Sequence, residues 1–569
     1  MSRLSRSALL YRAMLPFAVA IFLAGWLASF YFFIINRRIS AELKTKSWRE
    51  PTTIYSGANG KSVEVVRVYG LDWRVTPPVL LDKLPAHVAN AFIAAEDVRF
   101  RHHVGVDPIG MARALFANVR AGGIAQGGST IPQQIVKQRF LTNERTWRRK
   151  FTEIVLAVLL DLRLTKNEIL ELYLNDVYLG HHAGLPILGI DEAARLYFDK
   201  TPRQLRLDEA ALLAGMIRAP NQKRPELARA RRDAILNEMR ERKWINDAEW
   251  RNAKTHDVDI QRGSLPETPY PYYLRALRIE VLKEVGTKPL MSGGATLVCE
   301  IDPKAQRAAE EAAQRGGARL QARHSWIRQQ SRQDPLQVAI LSIDPRSGGV
   351  RALVGGTNFE RSPFDRTSAM HRQPGSAFKT FAYLAAIRSK KATTASLLLD
   401  APVKVQLSDN ETWEPQNYDE SFRGRVTLRE AFERSLNVPT VRLTNDIGPS
   451  RVVRVAKDLG IEKVESVPAM PLGVGEVTMR ELTAAYTVFP NLGERAEPFL
   501  LRRVKDRRGK VLFEREIKKK RVIDGDAAYV MHTLLRGVVR RGTATRLKTY
   551  GLAYVAGKTG TTNDYRDAW

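Results

Sequence analysis

The pattern of apolar and polar positions changes character several times along the 569-residue chain. Leu15 to Ile35 is an almost uninterrupted apolar run without a charge, long enough to cross a bilayer as one helix. It is too long for a signal-peptide core, and Asn36-Arg37-Arg38 is no small-residue cleavage site, so it reads as an uncleaved signal anchor. Ala86 to Ala95 then repeats apolar residues at helical spacing and ends on two acids, Glu96-Asp97. Carboxylates at a helix C-terminus oppose the dipole and each other, which suggests a job other than stability. Asp107-Pro108 is an N-cap with Pro at N1, Gly122-Gly123 stops that helix, and Thr130-x-x-Gln133 opens the next.

From Glu144 to Leu164 the spacing predicts a helix with Trp147, Phe151, Ile154, Val155, Val158, Leu159 and Leu162 on one apolar stripe. Arg149, Lys150 and Glu153 fall together on the opposite face. Residues 221–268 are charged and helix-prone and read as a helical linker, while 297–316 and 339–356 suggest strands and helices leading into another domain. Pro374-Gly375 breaks the chain before an apolar-faced helix from Ala377 to Ala386, Thr427-x-x-Glu430 caps a further helix, and Val555 to Lys558 reads as a strand entry. No tandem repeat or low-complexity tract is evident.

A chain of this length holds two or more domains. Its net charge of +29 could mean nucleic acid, but no zinc-finger, RNA-recognition or basic-zipper pattern accompanies it. Anionic head groups or a pyrophosphate substrate explain the charge as well, and the apolar run at 15–35 favours the membrane. Arg37, Arg38, Lys44, Lys46 and Arg49 outnumber Arg3, Arg6 and Arg12. Long domains translocate largely regardless of such counts, so residues 1–14 are read as cytoplasmic. The lone Cys299 reads as a small buried hydrophobe. The His102-His103 and His181-His182 pairs diverge too much for a zinc site.

Three short motifs carry nucleophilic chemistry. Ser376-Ala377-Phe378-Lys379 puts a serine at a helix N-terminus with a lysine one turn on, able to take its proton if neutral. Ser435-Leu436-Asn437 follows, with a hydroxyl to relay a proton and an amide to hold a substrate amide, and then Lys558-Thr559-Gly560-Thr561. S-x-x-K, S-x-N and K-T-G in this order resemble the active-site walls of penicillin-binding proteins and serine β-lactamases. The resemblance implies that Lys558, Thr559 and Gly560 line a subsite for the substrate carboxylate. It also implies that the backbone N–H groups of Ser376 and Thr561 form an oxyanion hole.

A second dense block runs through Ala91–Asp107, Gly127–Lys137, Arg149–Glu153 and Ile169–Asn175. These runs are similar to the successive motifs of the family 51 peptidoglycan glycosyltransferases. The resemblance implies Glu96 as general base toward an acceptor sugar hydroxyl, in the logic of an inverting glycosidase with an alcohol replacing water. Glu153, Arg149, Lys150 and Lys137 would orient and neutralise a lipid-pyrophosphate leaving group, with Ser129, Thr130 and Gln134 as further substrate-binding residues. A divalent cation (Mg or Mn) could assist, although no aspartate-rich metal motif stands out and no metal ligand is assigned. Asp161 stands where relatives often carry Glu, the 181–186 connection is long, and Thr380 replaces a Pro common after the lysine.

Together the two blocks resemble the layout of class A, bifunctional penicillin-binding proteins. The implied protein is multidomain, with a cytoplasmic N-terminus (1–14), a single transmembrane anchor (15–36) and a connector (37–84). A mostly α, lysozyme-like glycosyltransferase (85–220) follows, then a helical linker and the start of the second domain (221–330). Last comes an α/β (α+β) penicillin-binding transpeptidase domain (331–569), expected to be cut short after the K-T-G motif, with Lys558 on an unpaired strand edge.

The implied function is polymerisation of lipid II into β-1,4 glycan strands and D,D-transpeptidation or carboxypeptidation of stem peptides through a serine acyl-enzyme. It would take place on the outer face of the bacterial cytoplasmic membrane, with β-lactams as inhibitors, no nucleic acid partner and protein partners left open. Three other readings are a glycosyltransferase with a defective second domain, a lytic muramidase and a non-catalytic penicillin sensor. The muramidase would not account for the Ser129–Lys137 and Arg149–Glu153 motifs together, and intact Ser376, Lys379, Lys558 and Glu96 argue against the sensor.

Overall fold

The computed structural model describes residues 49–569 except 61, 71, 122–127, 142–143, 145, 183–184, 218–224, 258–259, 261–262, 292, 332–334, 409–410, 553 and 563–565. The anchor expected at 15–36 lies outside the described residues. Among the described residues no helix is long and apolar enough to cross a membrane. The chain forms two compact units, the first built mainly from 67–268 and the second from 53–66, 269–286 and 296–569.

The first unit is helical: α1 (Ala86–Glu96), α2 (Pro108–Ala121), α3 (Ile131–Phe140), α4 (Trp147–Asp161), α5 (Lys166–Asp176), α6 (Gly189–Phe198), α7 (Leu207–Met216), α8 (Pro225–Glu241) and α9 (Asp247–Thr255). Helix α1 starts and ends where its apolar spacing does, burying Val88, Ala91, Phe92 and Ile93. Thr130 caps α3 in a reciprocal capping box with Gln133, and Thr146 caps α4. Each such cap stabilises its helix by about 1 kcal/mol.

Two expectations are corrected here. In the stretch 221–268, expected as a helical linker, α8 and α9 are helical but do not form a linker, since Ile235, Leu236, Met239, Ile245 and Ala253 belong to the same core as α1. Helix α4 turns only part of the expected stripe inward: Leu159 is buried together with Glu153, Leu156, Ala157 and Leu160, whereas Trp147 is 92 % exposed, Phe151 60 % and Leu162 68 %. Leu156, Ala157 and Leu160 form a second apolar stripe, so periodicity alone could not say which stripe faces the core.

In the second unit β1 (Thr52–Ser56), β2 (Val63–Val68), β3 (Thr296–Cys299), β6 (Leu501–Lys505) and β7 (Val511–Glu514) make a sheet in the order β7-β6-β3-β1-β2. Strand β1 runs parallel to β3, and β6 antiparallel to both β3 and β7. Cys299 is buried on β3 as expected, and burial pushes its thiol up to about 12. Helix α10 (Pro271–Val285) accompanies the sheet, and the long α11 (Pro303–Arg323) packs on residues 350–354 of a separate antiparallel pair.

A separate apolar core surrounds α12 (Lys379–Arg388), whose residues 379–386 are all buried. Around it lie α13 (Leu428–Glu433), α14 (Asn437–Ile447) and α15 (Gly525–Arg540), with the short antiparallel pair β4 (Leu397–Asp400) and β5 (Gly424–Thr427) alongside. A helix buried all round needs apolar residues on every side, which Phe381, Ala382, Tyr383, Leu384, Ala385 and Ala386 supply. Val555 to Lys558, expected as a strand, is not one. Instead of an unpaired edge, Gly560 exchanges both backbone hydrogen bonds with Trp569 at 2.8 and 3.0 Å.

Candidate functional site

In the first unit the two acids that end α1 have separate environments. Asp97 is 6 % exposed, accepts from His103 Nε2 at 2.9 Å, and accepts from the backbone N–H of Ile131 at 3.0 Å. It therefore ties the end of α1 to the start of α3, where a carboxylate suits the helix dipole. That contact also answers the zinc question for His103, whose Nε2 faces a carboxylate. Glu96 remains on the wall of a cleft of about 560 Å³ and accepts from Gln134 Nε2 at 2.8 Å. Lys137 is exposed one turn along α3 from Gln134.

Glu153 is 2 % exposed and sits between Arg149 Nη1 at 3.1 Å and Lys150 Nζ at 2.5 Å. Lys150 also donates to Ser129 Oγ at 3.3 Å, which joins this cluster to the cleft wall. The first turn of α4 carries Arg148, Arg149 and Lys150 and no acid. Three cations at a helix N-terminus, with one buried acid beneath two of them, form a place for an anion. A metal ion does not fit this donor set, because both oxygens of Glu153 already face cations. Among the described residues no group of three or more His, Cys, Asp or Glu is arranged around a cation.

Thr130 lines the cleft, but its hydroxyl is turned to the protein, donating to the Gly105 carbonyl at 2.5 Å and capping α3. Asp161 accepts from Gly105 N–H at 2.5 Å and from Lys166 at 2.6 Å, so the shorter acid locks the Gly105 turn. Gly105 has φ +71°, and a Cβ there would lie 2.5 Å from the Val158 backbone of α4. The sequence reading missed Arg113, Arg231, Glu238 and Arg242 on the cleft wall. Charge on α8 was visible, but not which face of that helix meets α1.

In the second unit the three short motifs converge. Ser376 lies in a single 3-10 turn, Gly375–Phe378, that runs into α12, and Lys379 is the first residue of that helix, 0 % exposed. The sequence suggested a Lys379–Ser376 contact. The amine of Lys379 instead reaches the Ser435 carbonyl at 2.6 Å, Ser435 Oγ at 3.3 Å and Asn437 Oδ1 at 2.6 Å. Lys558 Nζ donates to the same Ser435 Oγ at 2.8 Å. Ser435 bridges the two lysines from a left-handed backbone, φ +58°, a conformation that costs a residue with a side chain about 1–2 kcal/mol.

Burial holds Lys379 well below the ordinary lysine range, and the charge of Lys558 adds to it. Burial also lowers Lys558, to about 7. The amine at Lys379 is therefore poised to be a base rather than a cation.

Gly375 has φ +53°, and a Cβ on it would lie 2.2 Å from the Thr561 carbonyl oxygen. Only glycine lets the backbone before Ser376 approach the backbone of Thr561. Thr561 faces Ala568 at a pair flanked by the Gly560–Trp569 and Thr562–Asp567 hydrogen bonds, so its N–H points away from residues 567–569. Thr559 Oγ1 meets Thr543 Oγ1 at 2.7 Å. Thr380, where a proline was expected to be commoner, is 0 % exposed and shares a 2.7 Å hydrogen bond with the Tyr486 hydroxyl, which donates to the Ala377 carbonyl at 2.7 Å.

Comparison with known proteins places both arrangements. Residues 62–240 match the transglycosylase family and residues 338–568 the penicillin-binding protein transpeptidase domain. Penicillin-binding protein 1B of Haemophilus influenzae is 34 % identical over 86 % of this chain, which spans 63 % of that relative's length. Penicillin-binding protein 1A of Aquifex aeolicus is 34 % identical over 86 % of this chain and 77 % of its own. The crystal structure of penicillin-binding protein 1A from Haemophilus influenzae has the same fold at a TM-score of 0.53 and 21 % identity, covering 92 % of this chain and 86 % of that one. The chain thus belongs to the penicillin-binding protein 1A and 1B family, with a transglycosylase domain followed by a penicillin-binding transpeptidase domain.

Proposed function

We propose that the protein is a bifunctional peptidoglycan synthase. In the first unit Glu96 takes the proton from an acceptor sugar hydroxyl, and that oxygen attacks the anomeric carbon of a lipid-linked donor. The C–O bond to the pyrophosphate breaks on the opposite face, and the electron pair leaves with the phosphate. Arg149, Lys150 and Lys137 receive the anion, Glu153 holds the first two in place, and Gln134 orients Glu96.

In the second unit Ser376 Oγ attacks the carbonyl of a D-Ala-D-Ala stem peptide while its proton passes to the neutral amine of Lys379. The N–H groups of Ser376 and Thr561 hold the oxyanion, and Lys558 with Thr559 and Gly560 binds the terminal carboxylate. The terminal D-alanine leaves with a proton relayed through Ser435. The amine of a second stem peptide, or water, then attacks the acyl-enzyme and frees Ser376. β-Lactams acylate the same oxygen.

The single observation that carries this reading is the convergence of Lys379 and Lys558 on Ser435, with Asn437 on the same Lys379 amine: four residues from three motifs far apart in the chain. Work at a lipid surface is supported by Phe116, Val119, Trp147 and Phe151, each at least 60 % exposed on α2 and α4. Each forfeits about 2 kcal/mol by facing water, and an apolar layer would restore it. The apolar run at 15–35 fits an anchor that holds the catalytic units on the outer face of the cytoplasmic membrane.

Two variants test the proposal. Ser376→Ala should abolish labelling by a fluorescent penicillin and leave polymerisation of lipid-linked disaccharide intact; Glu96→Gln should do the reverse. Penicillin labelling that survives Ser376→Ala, or polymerisation that survives Glu96→Gln, would sink the corresponding half.

A further inference from the structure

A second asparagine, Asn417, lies beneath the one in the S-x-N motif. It is 4 % exposed and makes four hydrogen bonds. Its Oδ1 accepts from the backbone N–H groups of Asn437 at 2.9 Å and Val438 at 3.3 Å, the first two of α14. Its Nδ2 donates to the Ser421 carbonyl and to Asp400 Oδ1, both at 2.8 Å. Asp400, at the end of β4, is 0 % exposed and also accepts from the Arg423 N–H at 3.1 Å, with the Arg423 guanidinium 3.9 Å away. The neighbouring Gln416 carbonyl accepts from Asn437 Nδ2 at 2.7 Å.

Capping of α14 alone would account for the two bonds at Asn417 Oδ1. It does not require a fully buried carboxylate behind the cap, which is costly to desolvate. Nor does it require the Gln416 carbonyl to take the Asn437 amide. The amide of Asn437 has two orientations, and only one puts an acceptor on Lys379. With Nδ2 on Gln416, Oδ1 faces the Lys379 amine at 2.6 Å; flipped, Oδ1 would face the Gln416 carbonyl, acceptor against acceptor, and Nδ2 would occupy the lone pair of the amine. The register of residues 416–417 decides the orientation, and Asp400 fixes that register by determining which way Asn417 points.

We propose that Asp400 and Asn417 are positioning residues for acylation: they lock the segment that orients Asn437 and so hold its carbonyl oxygen against Lys379. This rests on the reading of Ser376 as nucleophile and Lys379 as its base. The pair is chemically directional, with a carboxylate accepting from an amide that in turn accepts from the helix. Asp400→Asn leaves one acceptor for two donors and so sets a donor against either Asn417 Nδ2 or the Arg423 N–H, and Asn417→Asp places a carboxylate opposite a carboxylate. The double exchange restores a donor facing an acceptor between positions 400 and 417, with the negative charge moved to the N-terminus of α14, where the dipole favours it, but it gives up the bond to the Ser421 carbonyl.

The test uses the full chain and a fluorescent penicillin, separating the acylation rate constant from the binding constant by varying the penicillin concentration, beside thermal unfolding of each variant. Each single exchange should lower the acylation rate constant by about 10- to 100-fold, with binding within about twofold of wild type. The double exchange should recover most of the loss. Folded single variants that acylate at the wild-type rate would overturn the inference, as would a folded double variant no faster than the slower single. Should a single variant not fold, Asn417→Ser replaces it: the hydroxyl can still cap α14 but gives up Asp400, and a wild-type rate there also overturns the inference. A wild-type chain that shows no Ser376-dependent adduct defeats the underlying reading instead.

Discussion

Both units bury an ionisable side chain within their candidate sites, and they treat it in opposite ways. Glu153 is enclosed by an arginine and a lysine, whereas Lys379 meets only neutral oxygens, with a second lysine nearby. Pairing keeps a buried charge; neutral partners let burial remove it. The first arrangement suits a site that must meet an anionic leaving group, the second one that must present a lone pair. Burial alone therefore says little about a group's role, and its partners say most.

Three experiments bear on this contrast. Lys379→Met removes the base without opening a large cavity, and penicillin acylation should fall by about 10²–10⁴-fold. Because the methionine no longer desolvates an amine, the unfolding temperature should hold or rise, and a clear drop would mean that the amine is a structural group.

Glu153→Gln leaves two cations without their acid. Polymerisation should fall while penicillin labelling is unchanged, and the first unit should lose about 1–2 kcal/mol, discounted because Arg149 and Lys150 still reach water. Denaturant unfolding with both assays reads this, and unaltered polymerisation would remove Glu153 from the mechanism.

The smallest effect concerns pH. In the proposed mechanism acylation needs Lys379 neutral and Lys558 charged, so its rate should decline at low pH as Lys379 gains a proton and again above about 7 as Lys558 loses one. Lys558→Arg should erase the upper limb of a pH–rate profile, and a limb that persists would assign it elsewhere. Folding has the opposite sign in that range. Between about 7 and the ordinary lysine value the unfolded chain holds protons that the folded one lacks, so the second unit gains stability as pH rises through that window.

Much of the site chemistry was legible because it is local. Ser376 and Lys379 share a helix start, Thr130 and Gln133 a capping box, and Glu96 and Asp97 a helix end, so spacing alone brings each pair together. The split of labour between Glu96 and Asp97 was not legible, since it depends on His103 and Ile131 arriving from elsewhere. The inward face of α4 was misread in part because the helix has two apolar stripes and the core takes only some of the expected one. Helices α8 and α9 looked like a linker because their charge outweighs their few buried positions, yet Leu236 and Met239 are fully enclosed. Asn417 carried no signal at all: its partners lie 17 and 20 residues away, at Asp400 and Asn437.

The first turn of α4 has one more consequence. Arg148, Arg149 and Lys150 stand where the helix dipole is already positive, with no acid in that turn to offset them. Glu153 from the next turn offsets part of this charge, and on the proposed reading an anion would relieve the remaining repulsion as well as make contacts. Occupancy should tighten the helix start, so that amide exchange at 147–150 slows when substrate or inorganic pyrophosphate is present and quickens when the product departs. A site tuned in this way would be a spring as much as a pocket, relaxing while it holds an anion and tightening again when the anion leaves.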